Sequence, residues 1–275
     1  MIRFSNIAAQ DLAAVKDAVP LVHVITNYVT MGWVADVLSA VGASPIMADA
    51  PGEVEEVVAL ADALVINIGT LNPARLENML NAGRQAAVLE KPVVLDPVGA
   101  GALSARTDAA LKILDSLPVS VIRANASEML ALSGRTIRSR GVDTAYPVEA
   151  ARTAAGEMAG RFGLTAVVTG TEDLVVADGR DYRSANGHPL MGQVSGTGCA
   201  AGALVGAFLA IDPDPLTATL SAMACFNLAG EMAAETAPSY GRFKMAMLDA
   251  LDTLTPVIVQ QGASIHSDNE DDNDT

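Results

Sequence analysis

Short apolar runs alternate with longer mixed stretches along most of this chain. Residues 21–25, 44–47, 63–68, 92–95, 119–122, 165–169 and 173–177 form runs of four to six residues, dominated by Val, Ile, Leu and Ala. Runs of that length and β-branching predict buried strands. The segments between them are longer, and several carry apolar positions at helical spacing, as over 28–41, 53–61, 148–162, 213–235 and 239–254. Asn72-Pro73 marks a helix start, with an amide at the cap and proline at the first helical position. The pattern predicts about seven strands alternating with about eight helices. That is one α/β domain over residues 1–262, its mostly parallel sheet covered on both faces. Residues 133–146 read as a surface loop, and 178–189 as polar edge structure.

One stretch departs from this rhythm. Ser195-Gly196-Thr197-Gly198 is a run of small turn-formers, and it opens into the Ala-rich apolar run 199–211. A glycine turn leading into a helix presents backbone N–H groups that no helical carbonyl can accept, and the helix dipole adds positive potential there. Such a start is an anion site. No Gly-Lys-Ser/Thr follows, so this is not a Walker loop, and the glycine spacing misses the dinucleotide fingerprint. Cys199 is the one reactive side chain at this point. Its thiol ordinarily titrates at about 8.5 and is expected lower at a helix start.

Polar residues collect where the predicted strands end. Asn27 follows the first strand. Asp96 ends the fourth and opens Asp-Pro-Val-Gly-Ala-Gly. Arg123-Ala-Asn-Ala-Ser-Glu128 follows the fifth, and Thr169 ends the sixth. In parallel α/β sheets the carboxyl ends of the strands are where ligands bind. Each cluster also has a plainer reading. Asn27, Asn125 and Ser127 suit helix caps, and Asp96 suits a turn satisfied by backbone N–H groups. Arg123 has no capping role and reads as a phosphate or carboxylate contact. His23 and His188 read as packing or surface residues, and Cys225 as helix core.

Composition narrows the classes of partner. Of 275 residues, 51% are hydrophobic and 18% charged, which suits a well-packed globular chain. The net charge of −15 argues against nucleic acid or an anionic membrane as partner. Part of it lies in residues 263–275, which read as an acidic disordered tail. Two cysteines with no CxxC suit a reducing, cytoplasmic setting. The longest apolar run, 199–211, is too short to span a bilayer, which takes about 20 residues.

Together, Gly196-Thr197-Gly198-Cys199, Asn125-x-x-Glu128, the Asp96 turn, Val24-Ile-Thr-Asn-Tyr-Val-Thr30 and Ser44-Pro-Ile-Met-Ala-Asp49 resemble the ribokinase-like superfamily. Within it they resemble the hydroxyethylthiazole kinase family of thiamine salvage, whose members carry Cys where most of the superfamily carries Asp. The likeness runs from about residue 21 to about residue 254. It implies a three-layer α/β/α sandwich without a separate lid domain. It implies transfer of the ATP γ-phosphoryl to the hydroxyl of 4-methyl-5-(2-hydroxyethyl)thiazole, with Mg²⁺ as cofactor. Met47, Asn27, Gly69 and Gly196 would then lie at the thiazole, while Arg123, Thr169 and Asn125 would bind ATP. Asp96 and Glu128 would organise the metal. Gly196, Thr197 and Gly198 would form the anion hole beside Cys199. The resemblance also implies a homotrimer with active sites shared between neighbouring subunits. A hydroxymethylpyrimidine kinase or a hydratase-repair enzyme of the same superfamily fits less well, because of Cys199 and the Asn27 segment. A nucleotide sensor without catalysis would be expected to lack Asp96, Glu128 or Arg123.

Overall fold

The alternating pattern folds as one sheet between two layers of helices. The structure, a computed structural model, describes residues 4–137 and 146–268. Nine strands lie side by side among the described residues. In chain order they are β1 (Leu21–Ile25), β2 (Ser44–Ile46), β3 (Ala63–Asn67), β4 (Val93–Asp96), β5 (Val121–Asn125), β6 (Thr165–Thr169), β7 (Asp173–Ala177), β8 (Arg180–Ser184) and β9 (Ile265–Ser267). The spatial order is β2-β1-β3-β4-β5-β6-β7-β8-β9. The first six are parallel to their neighbours and the last three antiparallel. The chain leaves β1 for β2 on one side and then crosses to β3 on the other. The strand order therefore reverses between β1 and β3, and a crevice opens at their carboxyl ends.

Side chains alternate across the sheet with period two. Val22, Val24, Val65, Val94, Val121, Val167 and Val175 face one core. Leu64, Ile66, Leu95, Ile122, Ala124, Ala166 and Val168 face the other. The first core is covered by α1 (Phe4–Ala18), α2 (Met31–Val41), α8 (Thr197–Leu209), α9 (Pro215–Thr236), α10 (Tyr240–Thr253) and α11 (Pro256–Gly262). The second is covered by α3 (Val54–Leu60), α4 (Pro73–Val88), α5 (Ser104–Ser116), α6 (Ala126–Leu132) and α7 (Arg152–Phe162). Among the described residues no segment forms a separate lid.

Three details differ from the sequence reading. β5 continues through Arg123 to Asn125, with Arg123 in register with Val167, so the cation lies inside the strand instead of after it. Parallel pairing with β6 extends the ladder past the apolar run. The chain from 263 is not all tail: β9 pairs with β8, and Asp268 is ion-paired to Arg152 and Arg183 in a network with Glu149 and Asp181. A strand carrying Ser and His with no apolar alternation is invisible to periodicity. The first helix, α1, buries Ala8, Leu12 and Val15 on one face, a stripe that the pattern over 21–254 leaves outside. Most of the loop expected at 133–146, and the tail beyond 268, lie outside the described residues.

α8 owes its Ala and Gly content to its position. It lies directly on β1, β3 and β4, and a Cβ at Gly206 would sit 2.5 Å from Val65 Cγ2. The helix can approach that closely only where side chains are absent. Gly160, in α7, has nothing within 4 Å of such a carbon. The two sites therefore predict opposite signs. Overpacking at Gly206→Ala costs about 1–3 kcal/mol, which exceeds the gain of about 1 kcal/mol in helix propensity. Gly160→Ala keeps that gain, about 0.5–1 kcal/mol. Urea midpoints check this: Gly206→Ala falls and Gly160→Ala rises, and a shared sign would refute the packing account.

Candidate active site

Strand parity puts the polar residues on the α8 face. Asn67, Asp96, Arg123 and Thr169 share the side of Val65, Val94, Val121 and Val167, each two residues further on in its strand. Adjacent registers then set them in a row, with Asn67 beside Asp96 and Asn125 beside Thr169. The start of α8 closes this row from above.

Asp96 is fully buried. Its Oδ2 accepts from Asn67 Nδ2 at 2.7 Å, and its Oδ1 lies 3.5 Å from Arg123 Nη1 with no hydrogen-bond partner. Burial raises its pKa, while Arg123 and Asn67 oppose that rise. Arg123 also donates to Thr169 Oγ1. Its guanidinium lies flat against Gly198, where a Cβ would come within 2.6 Å of both terminal nitrogens. Glycine at 198 is thus a requirement of the cation. Glu128 is buried as well. Oε1 accepts from Gly99 N at 2.8 Å and Oε2 from Asn125 N at 2.9 Å, while Asn125 Oδ1 accepts from Glu128 N at 3.0 Å. This reciprocal pair is a capping box. The capping reading of Asn125 therefore holds, and it fixes the rotamer of Glu128. Burial first, then the charge of Asp96, push Glu128 up to about 7, against the pull of Arg123 and the two N–H donors.

Gly196 adopts φ +90°, so it turns the chain into α8 in a conformation that favours glycine. A Cβ there would also lie 2.7 Å from Thr30 Cγ2. Ala200 N returns to Gly196 O at 2.9 Å, which starts the helix. Thr197 N is bonded to Val194 O at 3.3 Å, so the expected trio of anion-hole donors is reduced. By helix geometry the N–H groups of Gly198 and Cys199 lack intrahelical acceptors. Cys199 Sγ accepts from Asn27 Nδ2 at 3.3 Å. Burial, then Asp96, raise its thiol pKa. The expectation of a lowered value at a helix start is not met, because desolvation outweighs the dipole.

A cavity of about 1010 Å³ opens along this edge. Arg123, Asn125, Glu128 and Thr169 line one side, and residues 196–199 line the other. Asn27, Met47, Gly69 and Asp96 do not line it. Asp96 is sealed beneath Arg123. Asn27 reaches the cavity only through Cys199, its other side-chain hydrogen bonds being to Thr30 and to Asn67 Oδ1, 3.2 Å away. Gly69 packs on Asn27, with N donating to Asn67 Oδ1 at 3.0 Å. Met47 is half-buried against the first core, past the end of β2. The structure thus gathers Arg123, Asn125, Glu128, Thr169 and the Gly196 turn around one space, keeps Asp96 behind Arg123, and leaves Asn27, Met47 and Gly69 outside it, just past or near the ends of β1, β2 and β3.

Four residues of this site escape a sequence reading. Asn67 joins Asn27, Gly69 and Asp96, and its signal is an amide in the last position of an apolar strand. Asp173 lines the far wall, accepting from Gly170 N at 3.0 Å and Asn227 Nδ2 at 2.6 Å. Asn227 comes from mid-helix, which no local signal announces. His188, read as packing or surface, caps the turn at 189–193 and lines the cavity. His23 and Cys225 are buried in the core as expected.

The Hydroxyethylthiazole kinase family matches residues 12–257. The hydroxyethylthiazole kinase of Desulfotalea psychrophila is 46% identical over 96% of this chain and 97% of its own. That of Desulforudis audaxviator is 45% identical over 96% and 95%. The hydroxyethylthiazole kinase structure from Pyrococcus horikoshii OT3 superposes with a TM-score of 0.86 at 41% identity, covering 94% of this chain and 98% of that one. A ribokinase-like superfamily protein from Enterococcus faecalis V583 shares the fold at a TM-score of 0.67 and 15% identity, covering 95% of each chain. This chain belongs to the hydroxyethylthiazole kinase family, and its fold is ribokinase-like.

Burial sets a pH dependence at the far wall. Asp173 is pushed up to about 6 by burial, against hydrogen bonds from Asn227 and Gly170. The folded chain therefore holds a proton that the unfolded chain has released, and stability falls as pH rises through that value. Asp173→Asn removes the titration. Between pH 4.5 and 7.5 the unfolding free energy of the variant should gain about 2 kcal/mol on the native chain. Urea titrations across that range measure it, and parallel pH profiles would overturn the assignment.

Proposed function

We propose that this chain transfers the γ-phosphoryl group of ATP to the hydroxyl of 4-methyl-5-(2-hydroxyethyl)thiazole, giving the thiazole phosphate and ADP in thiamine salvage. One observation carries this reading. A buried cation, the buried carboxylate of Glu128 and the start of an Ala-Gly helix meet at one cavity, with Asp96 directly behind the cation, beside the crevice where the strand order reverses. Family membership supplies the alcohol.

Phosphoryl transfer runs through a loose transition state, so positioning and charge neutralisation do most of the catalysis. Arg123 is held by Asp96, Thr169 and Gly198, so its charge meets the phosphates in a fixed place. The Gly198 and Cys199 N–H groups point where negative charge grows on the moving phosphoryl group. Asp96 Oδ1, buried with no hydrogen bond, and Glu128, with each oxygen taking a single backbone donor, suit a divalent cation such as Mg²⁺. Two carboxylates with the rest water and phosphate is the ligand set that this ion prefers. Bound there, the metal would neutralise charge on the phosphates. The alcohol oxygen attacks the γ-phosphorus as the bond to the bridging oxygen breaks. Its proton leaves late, to a phosphoryl oxygen or water. A thiol kept protonated by burial serves there as a shaped wall and takes no proton. Asn27 holds its sulfur toward the acceptor side.

Tyr28 and Val29 stand 60% and 77% exposed beside Asn27, and Met47 is half-exposed on the same side. Exposed apolar groups at this place suit a subunit contact, as in the homotrimer with shared sites that the family resemblance implies. No helix among the described residues is long and apolar enough to cross a membrane. With two free cysteines, that supports a cytoplasmic setting.

Coupled ADP release with ATP, Mg²⁺ and the thiazole alcohol, run beside hydroxymethylpyrimidine, tests the reaction. Turnover with the thiazole alone is expected, and turnover with the pyrimidine alone would overturn the substrate. In the same assay Cys199→Asp should match or exceed the native rate, because a carboxylate can accept the alcohol proton that a protonated thiol cannot. Cys199→Ser should remain measurably active. A folded but inactive Cys199→Asp protein would show that the sulfur does more than fill space.

A further inference from the structure

Arg75, in the first turn of α4, does not line the cavity, and it is only 3% exposed. Every nitrogen of its guanidinium is engaged, and the partners come from three different loops. Nε donates to Asp49 Oδ2 at 3.0 Å, in the turn after β2. Nη1 donates to Gly69 O at 3.3 Å and Thr70 Oγ1 at 3.0 Å, after β3. Nη2 donates to Thr26 O, after β1. The Tyr28 ring covers the guanidinium at 4.5 Å, and Tyr28 closes the set by donating its N–H to Thr70 Oγ1 at 3.3 Å and its hydroxyl to Asp49 Oδ2 at 3.4 Å. Only arginine has a planar fork of five donors that can hold three acceptors in fixed directions.

The three loops are those of the acceptor half of the site. Thr26 precedes Asn27, Asp49 lies two residues after Met47, and Gly69 gives its own carbonyl. Two further bonds hold the Met47 turn: His23 Nε2 lies 2.8 Å from Ala48 O, and Asn78 Nδ2 donates to Asp49 O at 2.7 Å. No atom of Arg75 touches Arg123, Thr169, Glu128 or the start of α8 among the hydrogen bonds and ion pairs of the described residues. We infer that Arg75 is a positioning residue for the alcohol half-site, fixing the loops that carry Asn27, Met47 and Gly69 relative to one another while leaving the nucleotide half untouched. The inference rests on the proposed placement of the thiazole at those three residues.

A purely structural arginine would lower stability and depress activity without distinguishing the substrates. A positioning arginine splits them. Steady-state kinetics of Arg75→Lys should show KM for the thiazole alcohol raised about tenfold or more, with KM for ATP within about twofold of native. Lysine keeps the charge but, as a point donor, cannot hold three loops. Asp49→Asn keeps the side-chain shape and loosens one arm, so it should show the same split, smaller, and it serves where Arg75→Lys does not fold. Methylguanidinium added to Arg75→Ala should lower the alcohol KM and leave the ATP KM alone. If the folded variants shift both KM values together, or neither, the clamp is overturned while the reaction stands. If the native chain phosphorylates no thiazole alcohol, the reaction reading falls and takes the clamp with it.

Discussion

The buried pair of Arg123 and Asp96 is the constraint around which this structure is arranged. Removing two charges from water is costly, and their attraction repays it only when the geometry is good and their remaining atoms find partners. Here the partners come from neighbouring strands. Asn67 on β3 satisfies one oxygen of Asp96, and Thr169 on β6 satisfies one end of Arg123. The pair therefore spans the sheet centre from β3 to β6. Two atoms are left over, Asp96 Oδ1 and Arg123 Nε, both buried with no hydrogen bond. A fold built only for stability would gain from satisfying them or replacing them with apolar groups. Their persistence is understandable where a charged ligand arrives to complete the set.

The pair also dictates what can lie above it. Gly198 and Gly202 face Arg123 and Asp96, with room for no larger side chain at 198 and bare contact at 202. Further along the same helix Gly206 faces Val65. One run of small residues thus serves the ion pair at its start and the hydrophobic core at its end. This is why an anion-binding turn and a core helix are a single continuous stretch. Moving α8 outward to admit larger side chains would lift its free N–H groups away from Arg123, and the site would lose two of its parts together.

Much of this was legible, and the reason is where the apolar runs stop. Those stops place Asn27, Asp96, Arg123 and Thr169 at one sheet edge, while the row that Asp96, Arg123 and Thr169 form with Asn67 follows only from the strand register. The Gly196 turn is legible because glycine at positive φ has a local cause. The capping box at Asn125 and Glu128 is legible from its spacing. What stayed hidden depends on partners distant in sequence. Arg75 reads as an ordinary residue in the first turn of a helix, since nothing nearby shows three carbonyl-bearing loops converging on it. Asp173 and Asn227 are 54 positions apart. β8 and β9 lack an apolar alternation because salt bridges through Asp268, and no second core, hold that edge. The thiol of Cys199 misled for a similar reason: a helix start argues for a lower pKa, and only the packed structure reveals that partial burial and the charge of Asp96 push it the other way.

That desolvation has a further consequence. The burial that keeps the Cys199 thiol and the Glu128 carboxyl protonated more readily than in water also lowers the dielectric around the phosphates. Charge interactions from Arg123 and the helix start are stronger there than at a surface. Weak bases and strong electrostatics are two results of one environment. A site that depended on a general base would have to expose or polarise it, and exposure would weaken the fixed charges. Phosphoryl transfer through a loose transition state needs the charges early and the base late, if at all. A partly buried, protonated cysteine at position 199 is therefore compatible with the chemistry for the same reason that a buried Arg123–Asp96 pair favours it.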